Sequence, residues 1–292
     1  MSEPSPAGEL RVGTAAAGQL RYVGCELTSV LDHARLILDL GPLATIALGR
    51  GLAATAMLTR LVTKRPRRLS LDFKGSGPLD RVLAECDAKG RLRGIVGAKH
   101  ATGVRGASDL QVGPALGVGL LIVQRIEEQG QVYESRVVLH DGEIGTDVAH
   151  YLDQSEQRRS AVLVGADLRA EGVQGAGGLI VEALPAADPE LVEDLESRLG
   201  AISSPSRRIS EAGLGGLVDD VLGTLSPSEL ERAPLVYDCG CSRESLLGSL
   251  GSLPEKELRE LTASDGTLDA ECSYCGRTFR MALREILGPS PN

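Results

Sequence analysis

The 292-residue chain contains no tryptophan, and tyrosine and phenylalanine bring its aromatic content to only 2%. Its core must be assembled from Leu, Val, Ile and Ala, and stacking platforms for single-stranded nucleic acid are scarce. Catalytic signatures are missing as well. His33, His100, His140 and His150 are scattered without HExxH spacing, and neither GxGxxG nor GxxxxGK occurs. Metalloprotease, dinucleotide and P-loop chemistry have no motif to rest on, and the chain is expected not to be an enzyme. The glycines of GVQGAGG (172–178) and of GSG (75–77) read as tight turns.

No N-terminal stretch joins basic residues, an apolar run and a small-residue cleavage site, and the opening MSEPSPAGEL is polar and reads as disordered. The expected location is the cytoplasm. The longest apolar region, GPLATIALGRGLAATAML, is broken by Arg50 and several glycines. It falls short of a clean run of about 18 apolar residues and reads as a buried helix, not a membrane span. In a reducing compartment the six cysteines are not expected to form a structural disulfide framework, which leaves metal binding or redox chemistry.

Charge is unevenly spread. Residues 188–292 carry 19 acidic and 10 basic side chains, which accounts for the whole net charge of −9. An acidic C-terminal third has the wrong sign for a phosphate-binding surface, and the 10 acids against 4 bases in residues 188–236 disfavour anionic lipid. Neither nucleic acid nor membrane is an expected partner.

Three stretches differ in texture. Residues 1–187 alternate β-type runs (67–73, 91–97, 117–126, 132–139, 160–168 and 177–184) with helical patterns at 42–62 and 144–152, and DAKG and EEQGQ read as hairpin turns. This predicts an α+β domain with a mainly antiparallel sheet. Residues 188–236 read as a helical linker. Asp188-Pro189 looks like a cap with proline at the first helical position, and apolar stripes run through Leu191, Val192, Leu195 and Leu199, then Leu214, Leu217, Val218, Val221, Leu222 and Leu225. Helices this short and charged need a surface to pack on. Residues 237–292 form a module too small for a secure core, which therefore needs a staple.

Cysteine supplies the staple. Cys239-Gly-Cys241, thirty residues, then Cys272-Ser-Tyr-Cys275 brings two thiol pairs to the module, and four thiolates suit one tetrahedral zinc ion. The CxxC arm followed by Gly276 resembles a zinc knuckle, in which backbone amides point at the sulfurs. Zinc-held sulfurs are thiolates, the form that oxidants attack, and oxidation to disulfides removes the ligands. Cys25 and Cys86 sit in apolar strand-like contexts and read as buried core residues. On these residues alone a constitutive structural zinc ribbon that binds nucleic acid or a protein partner stays open, as does a thiol oxidoreductase.

Read together, CGCSRE, ECSYCGRTF, FKGSGPLDRVLAECDAKGRLRGIVG, VGPALGVGLLIV, YLDQSEQRRSAVLVG and GAGGLIVEALPAA resemble the redox-regulated chaperone family known as heat-shock protein 33, over roughly residues 10–287. Two positions depart from the family pattern: Ser245 stands where Arg is usual and Tyr237 where Phe is. The resemblance implies a holdase that prevents aggregation of unfolding clients under oxidative stress. It implies that Cys239, Cys241, Cys272 and Cys275 hold one zinc ion in an inactive reduced state, and that disulfides Cys239–Cys241 and Cys272–Cys275 form on activation. It further implies a homodimer when oxidised and hand-off of clients to an ATP-dependent chaperone.

Overall fold

The structure is a computed structural model that describes residues 7–62, 66–102 and 110–287. These residues divide into two compact units, with the boundary between Asp238 and Cys239.

The first unit is built on a ten-stranded sheet in the order β7-β6-β3-β4-β5-β10-β1-β2-β9-β8. The chain opens with the hairpin of β1 (Ala7–Ala15) and β2 (Leu20–Glu26), then α1 (Thr28–Leu38) and α2 (Pro42–Leu61). Strands β3 (Pro66–Gly75), β4 (Arg81–Asp87) and β5 (Arg91–Val96) follow as a meander. After the single turn α3 (Gly113–Leu116) come the hairpin β6 (Gly119–Glu127) and β7 (Val132–Val138), the helix α4 (Ile144–Glu156), and the hairpin β8 (Ser160–Arg169) and β9 (Gly172–Ala183). Helices α5 (Pro189–Ala201) and α6 (Pro205–Leu222) lead to β10 (Ser228–Tyr237). The α+β architecture and the largely antiparallel pairing agree with the sequence pattern. DAKG and EEQGQ are the expected hairpin turns, and the single parallel pairing among the described residues, β10 with β5, spans two residue pairs.

Local sequence explains most elements. Pro42 starts α2 at a position where the missing N–H costs nothing. By length and apolarity α2 matches what a membrane crossing requires, but 17 of its 20 residues are buried in this unit. Thr55 and Thr59 return their hydroxyls to the carbonyls of Gly51 and Thr55, which satisfies them inside the apolar core. Helices α1, α2 and α4 cover one face of the sheet through Val30, Leu31, Leu52, Met57, Val148 and Tyr151, among others.

The other face, over β2, β9 and β8, is covered by α5 and α6. Asp188 caps α5 and Ser204 caps α6. Leu195, Leu199, Ile209, Leu214, Leu217, Val218, Val221 and Leu222 then bury themselves against Ala15, Leu20, Tyr22, Leu179 and Val181. Helix α6 is broken at Gly213, whose φ of 66° and ψ of −174° are non-helical.

Several sequence expectations need correction. Of the opening MSEPSPAGEL, residues 1–6 lie outside the described residues, and Ala7–Leu10 are not disordered but begin β1, held between β10 and β2. Residues 228–236, read as part of a helical linker, belong to β10, because their backbone groups pair with β1 along nearly its whole length. The turn expected at ISSPSRR is shorter, since Pro205 already starts α6. The glycines of GVQGAGG are strand residues of β9, not turns. A Cβ at Gly175 would sit 2.1 Å from the Ser206 carbonyl oxygen, and one at Gly177 2.1 Å from that of Cys25. Gly177 also has φ of 150°. Gly177→Ala is therefore expected to cost about 3 kcal/mol and lower the calorimetric midpoint of this unit by roughly 10 °C. An unshifted midpoint would show that β9 has room the geometry denies.

The second unit contains α7 (Arg243–Leu250), α8 (Glu255–Leu261), the hairpin β11 (Thr267–Glu271) and β12 (Thr278–Ala282), and the turn α9 (Leu283–Leu287). Its core has four buried side chains, Leu258, Leu268, Met281 and Ile286.

Candidate metal centre

Two short loops of the second unit bring the thiols together. In the first, Gly240 takes φ of 63° between Cys239 and Cys241, a left-handed turn that favours glycine and folds the two sulfurs back to 3.2 Å. The next residue, Ser242, caps α7 in a reciprocal capping box with Ser245, whose hydroxyl accepts the Ser242 N–H at 2.9 Å. That role gives Ser245, a departure from the family pattern, a local purpose: it fixes the helix that carries Cys241 on its doorstep. Tyr237, the other departure, is buried at the end of β10, where its hydroxyl donates to Gly94 O at 3.1 Å.

The second loop is the β11–β12 turn. Cys272 donates its N–H to Arg277 O at 2.9 Å, and the N–H groups of Cys275 and Gly276 return to Cys272 O. Gly276 adopts φ of 70°, which turns the Arg277 amide toward the Cys275 sulfur. The Cys241 N–H likewise points at Cys239 Sγ, 3.5 Å away. These are the amide-to-sulfur contacts of a knuckle. Arg243 ties the loops to the unit through Arg280 O and the Glu285 carboxylate.

All four sulfurs lie within 4.8 Å of one another, and Cys241 Sγ is 3.5 Å from Cys275 Sγ. A tetrahedral ion with metal–sulfur bonds of about 2.3 Å needs sulfurs about 3.8 Å apart. The spread brackets that value, and the donors are all soft thiols, so the four cysteines can hold a metal ion. Cys272 is buried and the others are half-buried, and all six cysteines of the chain are free thiols. Burial pushes the Cys239 thiol up, but the Cys241 amide and the neighbouring thiols outweigh it and hold Cys239 below the usual thiol range. Burial raises Cys241 and Cys275, and contact with the Cys239 sulfur adds to the effect.

The remaining candidates stay apart from this centre. Cys25 and Cys86 are fully buried in the sheet, as expected, and burial raises both thiols, Cys86 to about 12. Their thiolate fraction at neutral pH is negligible. Oxidant that modifies the four clustered thiols is expected to leave these two intact in peptide mass spectra, and their early modification would contradict their burial. Among the described residues no histidine joins a metal-type group. The structure does bring the His140 and His150 rings to 5.7 Å, a neighbourhood the sequence spacing did not suggest. It also reveals the apolar sheet face under α5 and α6, for which the alternation of Leu20 and Tyr22 along β2 was the available signal.

Comparison with known proteins agrees with this arrangement. The Hsp33 protein family profile matches residues 9–282. A 33 kDa chaperonin of Thermus thermophilus is 36% identical, covering 96% of this chain and 85% of the relative, and that of Trichormus variabilis is 39% identical over 96% and 95%. The crystal structure of the 33 kDa chaperonin from Thermotoga maritima superposes with a TM-score of 0.86 at 29% identity, covering 95% of this chain and 96% of that one. A ten-stranded α+β unit followed by a four-thiol module thus belongs to a class of chaperones. Within that class, the chain is a member of the Hsp33 family.

Proposed function

We propose that this chain is a redox-gated holdase of the cytoplasm, inactive while zinc sits on Cys239, Cys241, Cys272 and Cys275. The observation that carries the reading is the convergence of four thiols within 4.8 Å in a unit with only four buried core side chains. Bound zinc keeps the sulfurs as reactive thiolates and ties the two loops together. Each thiolate pair, Cys239 with Cys241 or Cys272 with Cys275, gives up two electrons to a peroxide or hypochlorous acid as its disulfide forms, and once both disulfides have formed no thiolate ligand remains. The second unit then loses its staple and unfolds.

The helical part of the segment 188–236, α5 and α6, acts as the metastable part of the device. Its helices are short, α6 is broken at Gly213, and they shield the apolar side chains of β2 and β9. Release of α5 and α6 presents Leu20, Tyr22, Leu179 and Val181 to unfolding clients, which are the partners. The oxidised form pairs as a homodimer and passes clients to an ATP-dependent chaperone. No turnover is involved.

The test is a titration of reduced, zinc-loaded protein with hypochlorous acid, with zinc release and client aggregation followed together. Release that coincides with suppression, both reversed by a thiol reductant, supports the reading. Retained zinc, or release without suppression, reduces the cluster to a structural staple.

A further inference from the structure

Between helix α5 and the β8–β9 hairpin lies a cleft of about 450 Å³. Its floor is apolar: Ala161 of β8, Val181 and Ala183 of β9, and Val192, Leu195 and Leu199 of α5. Folded interiors rarely leave such space, because side chains that face a gap forfeit their packing contacts. The sequence supplies the cause here. Ala161 and Ala183 contribute only a methyl group each to the strand side, so α5 rests there over unfilled space. The rim carries charge of both signs. Arg158 is committed to the Glu182 carboxylate at 2.7 Å. Arg159, Asp153 and Glu196 also line the cleft, are exposed, and among the described residues form no ion pair with one another or with any other side chain.

We infer that this cleft binds a single-chain amphiphile with a zwitterionic head, one in which a phosphate and an ammonium group are joined. Opposite charges that share a rim yet stay beyond ion-pair distance leave an opening that a group of both signs can bridge. The phosphate meets the Arg159 guanidinium, and the ammonium meets the carboxylates of Asp153 and Glu196. The hydrocarbon tail lies on the floor below, an apolar concave surface with a few polar groups at one side, as small-molecule sites generally are. From Val192 to Leu199 the helix advances about 10 Å, which sets the tail at roughly decyl length. A fatty acid offers nothing to Asp153 and Glu196, and a cationic amphiphile offers nothing to Arg159. With Val192, Leu195 and Leu199 on one side of the tail and Val181 on the other, the ligand fastens α5 to the sheet.

The cleft holds no thiol and belongs to the first unit, so this binding is independent of the redox switch proposed above. Isothermal titration of the reduced full-length chain with decylphosphocholine, kept below its micelle concentration, reads it directly. One saturable site is expected, with a Kd on the order of 10 to 100 µM. Decyl sulfate and decyltrimethylammonium, which carry one sign each, should bind about tenfold more weakly. Amides of Val192–Leu199 should exchange more slowly in the bound protein. Arg159→Glu should turn the preference toward decyltrimethylammonium, and Glu196→Lys toward decyl sulfate. Ala161→Leu fills the floor and should remove binding of all three probes without lowering the melting temperature. Heat without saturation, equal affinity for the three heads, a preference unmoved by the two charge reversals, or unchanged binding to Ala161→Leu would each overturn the assignment. So would co-sedimentation with vesicles of a two-chain phosphocholine lipid when the monomeric probe does not bind, since the cleft would then serve a membrane surface.

Discussion

Full-length protein carrying Cys272→Ser is expected to lose the fold of residues 239–287 while the ten-stranded sheet stays intact. Cys272 is the one buried thiol of the cluster, and its carbonyl organises the knuckle through the Cys275 and Gly276 amides. The core it supports consists of Leu258, Leu268, Met281 and Ile286. Four side chains of that size contribute on the order of 10 kcal/mol of apolar burial at most, which the ordering of some fifty residues readily consumes. A four-thiolate zinc site contributes a comparable or larger amount, about 10 to 16 kcal/mol, so its loss decides the balance. Hydrogen exchange is the measurement: amides of Thr267–Glu271 and Thr278–Ala282 should exchange at unfolded-chain rates in the variant. The central strands, with their own core, should remain protected. Slow exchange in the β11–β12 hairpin of the variant would mean that the unit folds without four thiolates, and the proposed switch would lose its mechanical step.

The second large effect is expected from Leu217→Asp. Leu217 is fully buried on the inner side of α6, against the apolar face that includes Leu20, Tyr22 and Leu179. A carboxylate there costs about 3 kcal/mol or more, because no partner faces it in that cluster. Helix α6 has little to set against that cost, since Gly213 interrupts it and Gly215 and Gly216 follow. The helix should detach while zinc stays bound, and the reduced protein should suppress aggregation without any oxidant. Client light scattering in excess reductant, alongside a zinc assay, reads this out. If α6 amides exchange freely but the reduced variant is inert, the covered sheet face is not the client surface. If the helix stays docked, the burial argument itself is wrong.

The thiol cluster was legible because its information is local. CxC and CxxC each place two sulfurs on one turn, and Gly240 and Gly276 announce the left-handed residues those turns require. Asp188 and Pro189 similarly marked the start of α5, and the hairpin turns at DAKG and EEQGQ fixed the pairing of their flanking strands. Strand β10 was not legible. SELERAPLVY is charged at one end and holds a proline, and nothing within it says strand. It is one because β1 and β5, far away in sequence, supply the hydrogen bonds. Helix α1 escaped notice for a related reason: Asp32, His33 and Arg35 dilute its composition, although Val30, Leu31, Ala34 and Leu38 keep the helical spacing. The glycines of β9 misled because close backbone approach and tight turning leave the same mark on a sequence.

The position of β10 also has a consequence for the newborn chain. Strands β7, β6, β3, β4 and β5 form one half of the sheet and β1, β2, β9 and β8 the other, and β10 alone joins them. It is the last strand of its unit to leave the ribosome, and its pairing of Val236 with Ala7 spans almost the whole unit. Each half can assemble during synthesis, since its strands are made earlier and pair mostly with near neighbours in sequence. The halves cannot be sutured until residue 237 has emerged from the exit tunnel. The thiol module begins two residues later, at Cys239, so closure of the sheet and the emergence of the clustered thiols follow one another closely in the life of the chain.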